Sequence, residues 1–214
     1  MQLCKVLVKL TYWEVLMADP ISRREFGAGS IAAAALAGPA VSAGKAIKPG
    51  VVALGRIETK LAQMGLTLPE PLIMPHGIKM PFAWVRVRGK RAFISGTVAV
   101  NQDGTLAHPL GKVGTEVTPE QGYQSARLVA LSHLGSLKRA LGELDRVTAW
   151  LRVFAMVNVA PGFYETPLVT NGYSDLINEL YGPEVGSHAR SSIGMMIPLN
   201  APVNCEAEVE IDGG

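Results

Sequence analysis

The sequence predicts one α+β domain: a mixed β-sheet with two helices on one face, in the order β-β-α-β-α-β-β. Three observations support this fold class. Strand-like alternation surrounds a glycine turn at residues 82–96, a capped helix begins after Thr118, and an apolar β-rich run at residues 147–159 precedes a second helix. A content of 48% apolar and 18% charged residues is ordinary for a globular protein, which favours a single core.

The first two strands form a predicted hairpin over residues 82–96. Apolar and polar side chains alternate on both sides of a turn at Gly89 and Lys90. Residues 98–117 are rich in Gly and in Pro-containing turns, so we expect mostly loop there.

Two helices follow the hairpin. The first has the elements of a capping box, with Thr118 as N-cap, Pro119 at the first helical position and Gln121 at the third, and it is predicted to end at Leu141. The second is predicted to end at Gly182, which precedes a proline. The apolar stripes comprise Ala126, Ala130, Leu134, Leu137 and Leu141 in the first helix, and Val169, Tyr173, Leu176, Ile177 and Leu180 in the second.

The remaining strands are predicted at residues 147–159, 189–197 and 203–211. The first of these is nearly all apolar, which is typical of an interior strand covered by helices on one face and by a partner on the other. In the last strand Asn204, Glu206, Glu208 and Glu210 share one face, while Cys205, Ala207, Val209 and Ile211 share the opposite face. Glu208 and Glu210 are interpreted as a solvated acidic edge, and Cys205 as a small buried hydrophobe.

The N-terminal part of the chain has the pattern of a twin-arginine signal peptide. Arg23 and Arg24 precede the uncharged, Ala-rich run 28–43, which is too short to cross a bilayer, and small residues before the end of that run predict cleavage after Ala43. We therefore expect a periplasmic or secreted protein without stable membrane association after cleavage. The start of translation is open between Met1 and Met17.

This gives three predicted segments: an extension with the signal peptide (1–43), a linker with a peripheral helix near residues 56–64 (44–75), and the main domain (76–214). The formal net charge of +2 arises from nearly balanced signs, which gives no support to a nucleic-acid-binding role. The four histidines, His76, His108, His133 and His188, lack metal-ligand spacing, so we predict no metal.

Several short motifs together resemble the RidA/YjgF family, whose fold is also called chorismate-mutase-like. They are Phe93-Ile94-Ser95-Gly96, Asp145-Arg146-Val147, His188-Ala189-Arg190-Ser191-Ser192 and the residues 199–203, which match the family's closing hairpin. The resemblance covers residues 55–212 and implies a homotrimer with three ligand sites in the clefts between subunits. It also implies hydrolysis of 2-imino acids to 2-keto acids and ammonia, without a cofactor.

The resemblance places the substrate's carboxylate on Arg190. A guanidinium offers two parallel N–H donors, which suit the carboxylate of a 2-imino or 2-keto acid. The family's water-orienting acidic residue falls at Asn204 or, in a shifted register, at Glu206. Asn204 can hydrogen-bond a water but cannot take up its proton. The predicted lining residues are Ser95, Gly96, Phe82, Asn171 and Ser192, of which Phe82 stands near a position where many members have Tyr.

Three functions are compatible with these residues. The first is hydrolysis of reactive imines or enamines, with Arg190, Glu206 and Asn204 as the chemical groups. The second is a trimer that binds a small carboxylate without catalysis, which Asn204 favours. Endoribonuclease activity ranks last, because the sequence shows no paired general acid and base and no basic groove.

Overall fold

A five-stranded mixed sheet organises the residues described by the structure, a computed structural model in which these are residues 55–213. The predicted signal peptide at residues 1–43 therefore lies outside the described residues. The helices are α1 (Arg56–Gln63), α2 (Pro119–Leu141) and α3 (Thr166–Gly186), and the strands are β1 (Val85–Arg88), β2 (Arg91–Val98), β3 (Val147–Asn158), β4 (Ala189–Met195) and β5 (Val203–Ile211).

The strand order is β1-β2-β5-β3-β4, with β3 and β4 parallel and the other neighbours antiparallel. The α+β class and the element order are as predicted. The predicted closing hairpin is wrong, because β3 lies between β4 and β5. The crossover through α3 places β4 outside β3, and the connection that contains Pro198, with Leu199 and Asn200 at positive φ, then leads the chain back to β5 at the centre of the sheet.

The N-terminus of α2 confirms the predicted capping box. The Gln121 backbone N–H donates to Thr118 Oγ1 at 3.2 Å, and the Thr118 backbone N–H donates to Gln121 Oε1 at 2.9 Å. Two of the donors that a helix leaves unpaired at its start are thereby satisfied. Gly142, with φ 86°, follows the last residue of α2 and allows the chain to turn out of the helix.

Some predicted boundaries need correction. α3 continues beyond Gly182 to Gly186, with a kink at Gly182, where φ 79° and ψ 168° interrupt the helical geometry. β1 begins at Val85 rather than at residue 82, and β4 ends at Met195, before the turn at Pro198. Local sequence signals located these elements, but pairing with neighbouring strands set their lengths.

The core lies between the sheet and the pair α2 and α3. Leu134 from α2, Trp150 from β3 and Tyr173 from α3 are all buried within it. β5 confirms the predicted alternation, since Cys205, Ala207 and Val209 are buried against the helices while Glu206 and Glu210 are exposed on the other side. We call these the helix-covered face and the open face of the sheet.

α1 is attached to the core through a buried carboxylate. Glu58 accepts hydrogen bonds from Lys138 Nζ at 2.6 Å and from the Leu144 backbone N–H at 3.0 Å, and only 8% of its surface is exposed. Burial tends to raise the pKa of Glu58, but these two donors outweigh burial and lower it. The predicted peripheral helix is therefore part of the packed structure. Within residues 55–213, none of the helices has the length and apolar character needed to span a membrane.

Candidate functional site

Arg190 lies on the edge strand β4, and its side chain extends along the helix-covered face toward α3. Its Nη1 donates to Ser174 Oγ at 2.8 Å, and its Nη2 donates to Asn171 Oδ1 at 2.8 Å and to the Pro167 carbonyl at 3.3 Å. Asn171 and Ser174 are three residues apart on α3, so both side chains face the strand. The structure thus brings together two residues predicted for the site, Arg190 and Asn171.

Arg190 forms no contact ion pair among the described residues. The charge of Asp175 on α3 acts on it from beyond contact distance, and Asp175 accepts a hydrogen bond from the Tyr123 hydroxyl. Burial lowers the pKa of Arg190, although an arginine stays protonated near neutral pH. All three of its acceptors are uncharged. A half-buried cation whose contact partners are all uncharged attracts an anionic ligand, since the ligand would supply a counter-charge in direct contact.

The hydrogen-bond network continues from Arg190 to His188. Ser174 Oγ is 2.9 Å from His188 Nε2, and His188 Nδ1 is 2.7 Å from the Gly186 carbonyl. Burial and the adjacent charge of Arg190 lower the pKa of His188, which favours its neutral form. The network therefore links Arg190, Ser174, His188 and Gly186 by consecutive hydrogen bonds.

An open groove of about 360 Å³ borders this network. It is lined by Asn171, Ser174, Asn178, Ser187, His188 and Arg190. Every lining side chain is polar and only Arg190 is charged, so the groove suits a small polar anion. We call these residues the Arg190 groove.

Ser192 is on the same face as Arg190 but outside the lining of the groove. Its hydroxyl accepts a hydrogen bond from Thr170 Oγ1 at 3.0 Å, and its carbonyl accepts one from Thr166 Oγ1 at 3.3 Å. Ser192 thus joins β4 to α3 beside the groove.

The other predicted site residues form a second group around a β-bulge in β2. The register of β2 against β5 shifts between Ile94 and Thr97, so Ser95 and Gly96 occupy the bulge. The Ser95 hydroxyl donates to the Ala83 carbonyl at 2.8 Å, which holds the segment next to Phe82 along the strand. Phe82 is 43% exposed and contacts Trp84 edge to face, with 5.1 Å between ring centroids.

Asn204 packs directly against Gly96. A Cβ on Gly96 would lie 2.7 Å from Asn204 Oδ1, so this approach requires glycine. Asn204 Oδ1 is buried and has no hydrogen-bond donor in the structure. Glu206, two residues along β5, is exposed on the same face. We call Phe82, Ser95, Gly96, Asn204 and Glu206 the bulge group.

The Arg190 groove and the bulge group do not meet within one chain. Arg190 pairs with Val153, and Val153 with Ala207, so this row faces the helices. Glu206 pairs with Phe154 in the adjacent row, which faces the opposite side of the sheet. The two sets of predicted residues thus lie on opposite faces, and a site containing both needs more than one copy of the chain.

The predictions from the sequence did not include Ser174, and they placed His188 near Arg190, at the rim of the cleft. A signal for both was present. Ser174 follows Asn171 by three residues on a helix, so the two share a face. His188 directly precedes β4 and is two residues before Arg190, the spacing that places side chains on one side of an extended chain. The pairing of the two faces, however, depends on where β4 meets α3.

Several basic residues lie close together on the hairpin, although the balanced net charge and the sequence had shown no basic groove. The hairpin of β1 and β2 exposes Arg86, Arg88, Lys90 and Arg91, of which Arg91 forms an ion pair with Glu208 at 3.0 Å. As for metal ligands, the part of the chain covered by residues 55–213 contains no cluster of three or more His, Cys, Asp or Glu side chains able to hold an ion.

The fold and the groove define a class: a small α+β protein with an arginine that has no contact ion pair beside an open polar groove. A family model described as "YjgF/chorismate mutase-like, putative endoribonuclease" matches residues 58–207. The chain belongs to this family, the RidA/YjgF family.

Relatives of known sequence or structure agree with this membership. The Trypanosoma cruzi protein TCP17 is 34% identical over 163 residues, which are 76% of this chain and 98% of TCP17. A protein of unknown function from Agrobacterium tumefaciens is 33% identical with a TM-score of 0.65, covering 73% of this chain and 94% of that one. A Shewanella oneidensis protein described as a "putative endoribonuclease" is 31% identical with a TM-score of 0.65, covering 73% of this chain and all of that one.

Proposed function

We propose that the protein hydrolyses reactive 2-imino acids, or their enamine tautomers, to 2-keto acids and ammonia in clefts between the subunits of a homotrimer. The observation that carries the proposal is that Arg190 has three uncharged acceptors and no carboxylate in direct contact with its positive charge, and faces an open polar groove. A substrate carboxylate would neutralise this charge and fix the neighbouring C2 atom in space.

Association of copies is proposed because one chain is incomplete in two respects. The bulge group lies on the face opposite Arg190, and the open face exposes apolar side chains such as Phe93 (43%) and Ile193 (40%). Packing of the open face against another copy would bury these side chains. It would also bring Glu206 or Asn204 of one copy toward Arg190 of its neighbour.

The chemistry requires no cofactor in this proposal, since the C=N bond is already electrophilic. Arg190 holds the carboxylate, and Glu206 or Asn204 of a neighbouring copy holds the attacking water. The proposed benefit of the arrangement is orientation, because a water fixed near C2 reacts without the entropic cost of a random encounter.

Ammonia release from freshly generated 2-iminopropionate tests the function. We expect the wild type to exceed the buffer rate, and Arg190→Ala to lower kcat/KM at least about 100-fold, since charge-assisted hydrogen bonds to the carboxylate are lost. Arg127→Ala is the matched control, because Arg127 forms a surface ion pair with Glu179 away from the groove. A wild type no faster than buffer would refute hydrolysis.

Complementation between variants tests the shared site. Arg190→Ala and Glu206→Ala change opposite sides of the proposed cleft, so a 1:1 mixture reassembled from separated subunits contains clefts with both native residues. Random mixing predicts about a quarter of clefts to be native. Recovery of activity above that of either variant supports clefts between subunits, and no recovery argues against them.

A second candidate function is binding of a small carboxylate without turnover. Asn204 favours it, because an amide cannot accept the proton of a water. Its signature is a 2-keto acid that raises the melting temperature of the wild type but not of Arg190→Ala, together with no ammonia release above buffer.

Endoribonuclease activity has less support than imine hydrolysis or carboxylate binding, although the descriptions of the family and of the Shewanella protein contain the word "endoribonuclease". The exposed arginines of the β1–β2 hairpin offer charge, but no pair of acid and base side chains accompanies them on that hairpin. Export through the predicted twin-arginine signal remains a proposal, and N-terminal sequencing of the mature protein tests it.

A further inference from the structure

The donor and the acceptor can be assigned in the two hydrogen bonds of His188, one to Gly186 and one to Ser174. A carbonyl cannot donate, so the contact of 2.7 Å means that His188 Nδ1 carries a proton and donates it to Gly186. In a neutral imidazole Nε2 is then an acceptor. The only proton of the Ser174 hydroxyl must therefore point to His188 Nε2, 2.9 Å away.

Ser174 retains capacity for one more partner. Its oxygen has two lone pairs, and Arg190 Nη1 donates to one of them at 2.8 Å. The second has no donor among the described residues, and Ser174 is half-buried in the lining of the Arg190 groove. A water in the groove can donate to this oxygen while the Ser174 hydroxyl donates its own proton to His188 Nε2.

This is the arrangement of a general base that acts through a hydroxyl. The base lies within hydrogen-bond reach of the hydroxyl, and a third group, the Gly186 carbonyl, orients the base. The charge on Arg190 stabilises negative charge that develops on Ser174 during proton transfer. The site needs such a group on this face, because Glu206 of the same chain points away from it.

We propose that His188, through the hydroxyl of Ser174, accepts the proton of the water that attacks the imine held by Arg190. This rests on the proposed function and assigns the proton transfer to the chain that binds the carboxylate. Glu206 or Asn204 of a neighbouring copy then orients the water without taking its proton.

The steps balance for a protonated imine. The water oxygen bonds to C2 and the C=N π electrons move to nitrogen, while one water proton moves to Ser174 and the Ser174 proton moves to His188 Nε2. The imidazolium returns this proton by the same path to the amine. The C–N bond then breaks, ammonia leaves with the electron pair, and the remaining hydroxyl proton passes through Ser174 and His188 to solvent as the carbonyl forms.

His188→Gln separates proton transfer from positioning. The Gln carbonyl oxygen can accept the Ser174 proton near the place of Nε2 but cannot take it up, so Arg190 keeps its partner. We expect the Kd for pyruvate to stay within about threefold of the wild type, while kcat for iminopropionate falls about 100-fold or more. His108→Gln, the same change at an exposed histidine outside the groove, is the control.

The pH profile gives a second readout. The ionisable groups next to His188 are Arg190, two residues further along the chain, and Tyr173 on α3, whose pKa lies well above its ordinary value because of burial. Asp175, also on α3, acts on Arg190 from beyond contact distance. Neutral His188 is needed, so wild-type kcat/KM should fall on the acid side, as the pH drops toward the pKa of His188, which burial and Arg190 lower below the ordinary histidine value. This acidic limb should disappear in His188→Gln and persist in Glu206→Gln.

Each outcome decides the proposal. A His188→Gln protein that keeps the wild-type kcat, or the fall of kcat/KM at low pH, overturns the proton relay from water through Ser174 to His188. It leaves the proposal of imine hydrolysis intact. A wild type without activity overturns both. Should His188→Gln fail to fold, Ser174→Ala keeps His188 in place and removes the connecting hydroxyl. The relay then predicts the same loss of kcat and of the acidic limb, and retention of either overturns it.

Discussion

The two faces of the sheet differ in completeness. On the helix-covered face, α2 and α3 bury Leu134, Trp150 and Tyr173, and the Arg190 groove lies at the edge of this core. The open face instead combines exposed apolar side chains, such as Phe93, with the carboxylate of Glu206. One face therefore stabilises the fold of a single chain, while the other is suited to contact with a second copy.

This contrast also separates the candidate site. Arg190 is held on the helix-covered face, because its three acceptors all come from α3. The bulge group lies on the open face, where Asn204 of β5 packs against Gly96 at the β-bulge of β2. The proposed anion binding thus belongs to a preorganised region, and the residues proposed to hold the water lie on the face that the proposed association would cover.

Among the expected effects, the largest should come from truncating one apolar side chain on each face and comparing the losses in the free energy of unfolding. Leu134→Ala leaves a cavity under the sheet, and we expect a loss of about 2–5 kcal/mol in the free energy of unfolding at every protein concentration. Phe93→Ala, on the open face, should lower stability mainly through association, so its effect should depend on concentration. Urea unfolding over a hundredfold concentration range measures both, and two concentration-independent losses of equal size would contradict the comparison.

Lowering the pH should decrease the free energy of unfolding, because His133 is buried against the helix-covered face of the sheet. Burial lowers the pKa of His133 from 6.5 to about 4, with Nδ1 2.7 Å from the Tyr173 hydroxyl. The folded state resists protonation, so its stability is complete above pH 6.5 and is lost as the pH falls toward 4. We expect a loss of about 2 kcal/mol between pH 7 and pH 5.

Urea unfolding at the two pH values checks this expectation against His133→Gln, in which the pH dependence should shrink. His188, whose pKa burial also lowers, contributes with the same sign. An equal pH dependence in His133→Gln would assign the acid sensitivity to other groups.

Gly96 should give the smallest effect. Gly96→Ala places a Cβ 2.7 Å from Asn204 Oδ1, and the Asn204 side chain must rotate away. An off-rotamer side chain costs about 1 kcal/mol. Thermal unfolding should show this loss in Gly96→Ala and its relief in the double variant with Asn204→Ala. A neutral Gly96→Ala would show that the open face tolerates change at the bulge.

Local features of the fold were predictable because their causes are local. Thr118 and Gln121 satisfy backbone donors within one turn, and the alternation around Cys205 follows from strand geometry alone. The predicted closing hairpin was wrong for the opposite reason. Whether β5 pairs with β4 or inserts beside β3 depends on the crossover through α3, which no short window of sequence contains.

By itself the sequence determined the element order, the family and the identity of Arg190 as the candidate anion-binding residue. The tertiary structure decided which residues share a site. It placed Ser174 and His188 beside Arg190, because β4 packs under α3, and it placed Glu206 on the opposite face, because neighbouring rows of a sheet point to opposite sides. The sequence specifies residue types and their spacing. Which face of the sheet the helices cover, and which stays open, is decided only when distant segments pack together.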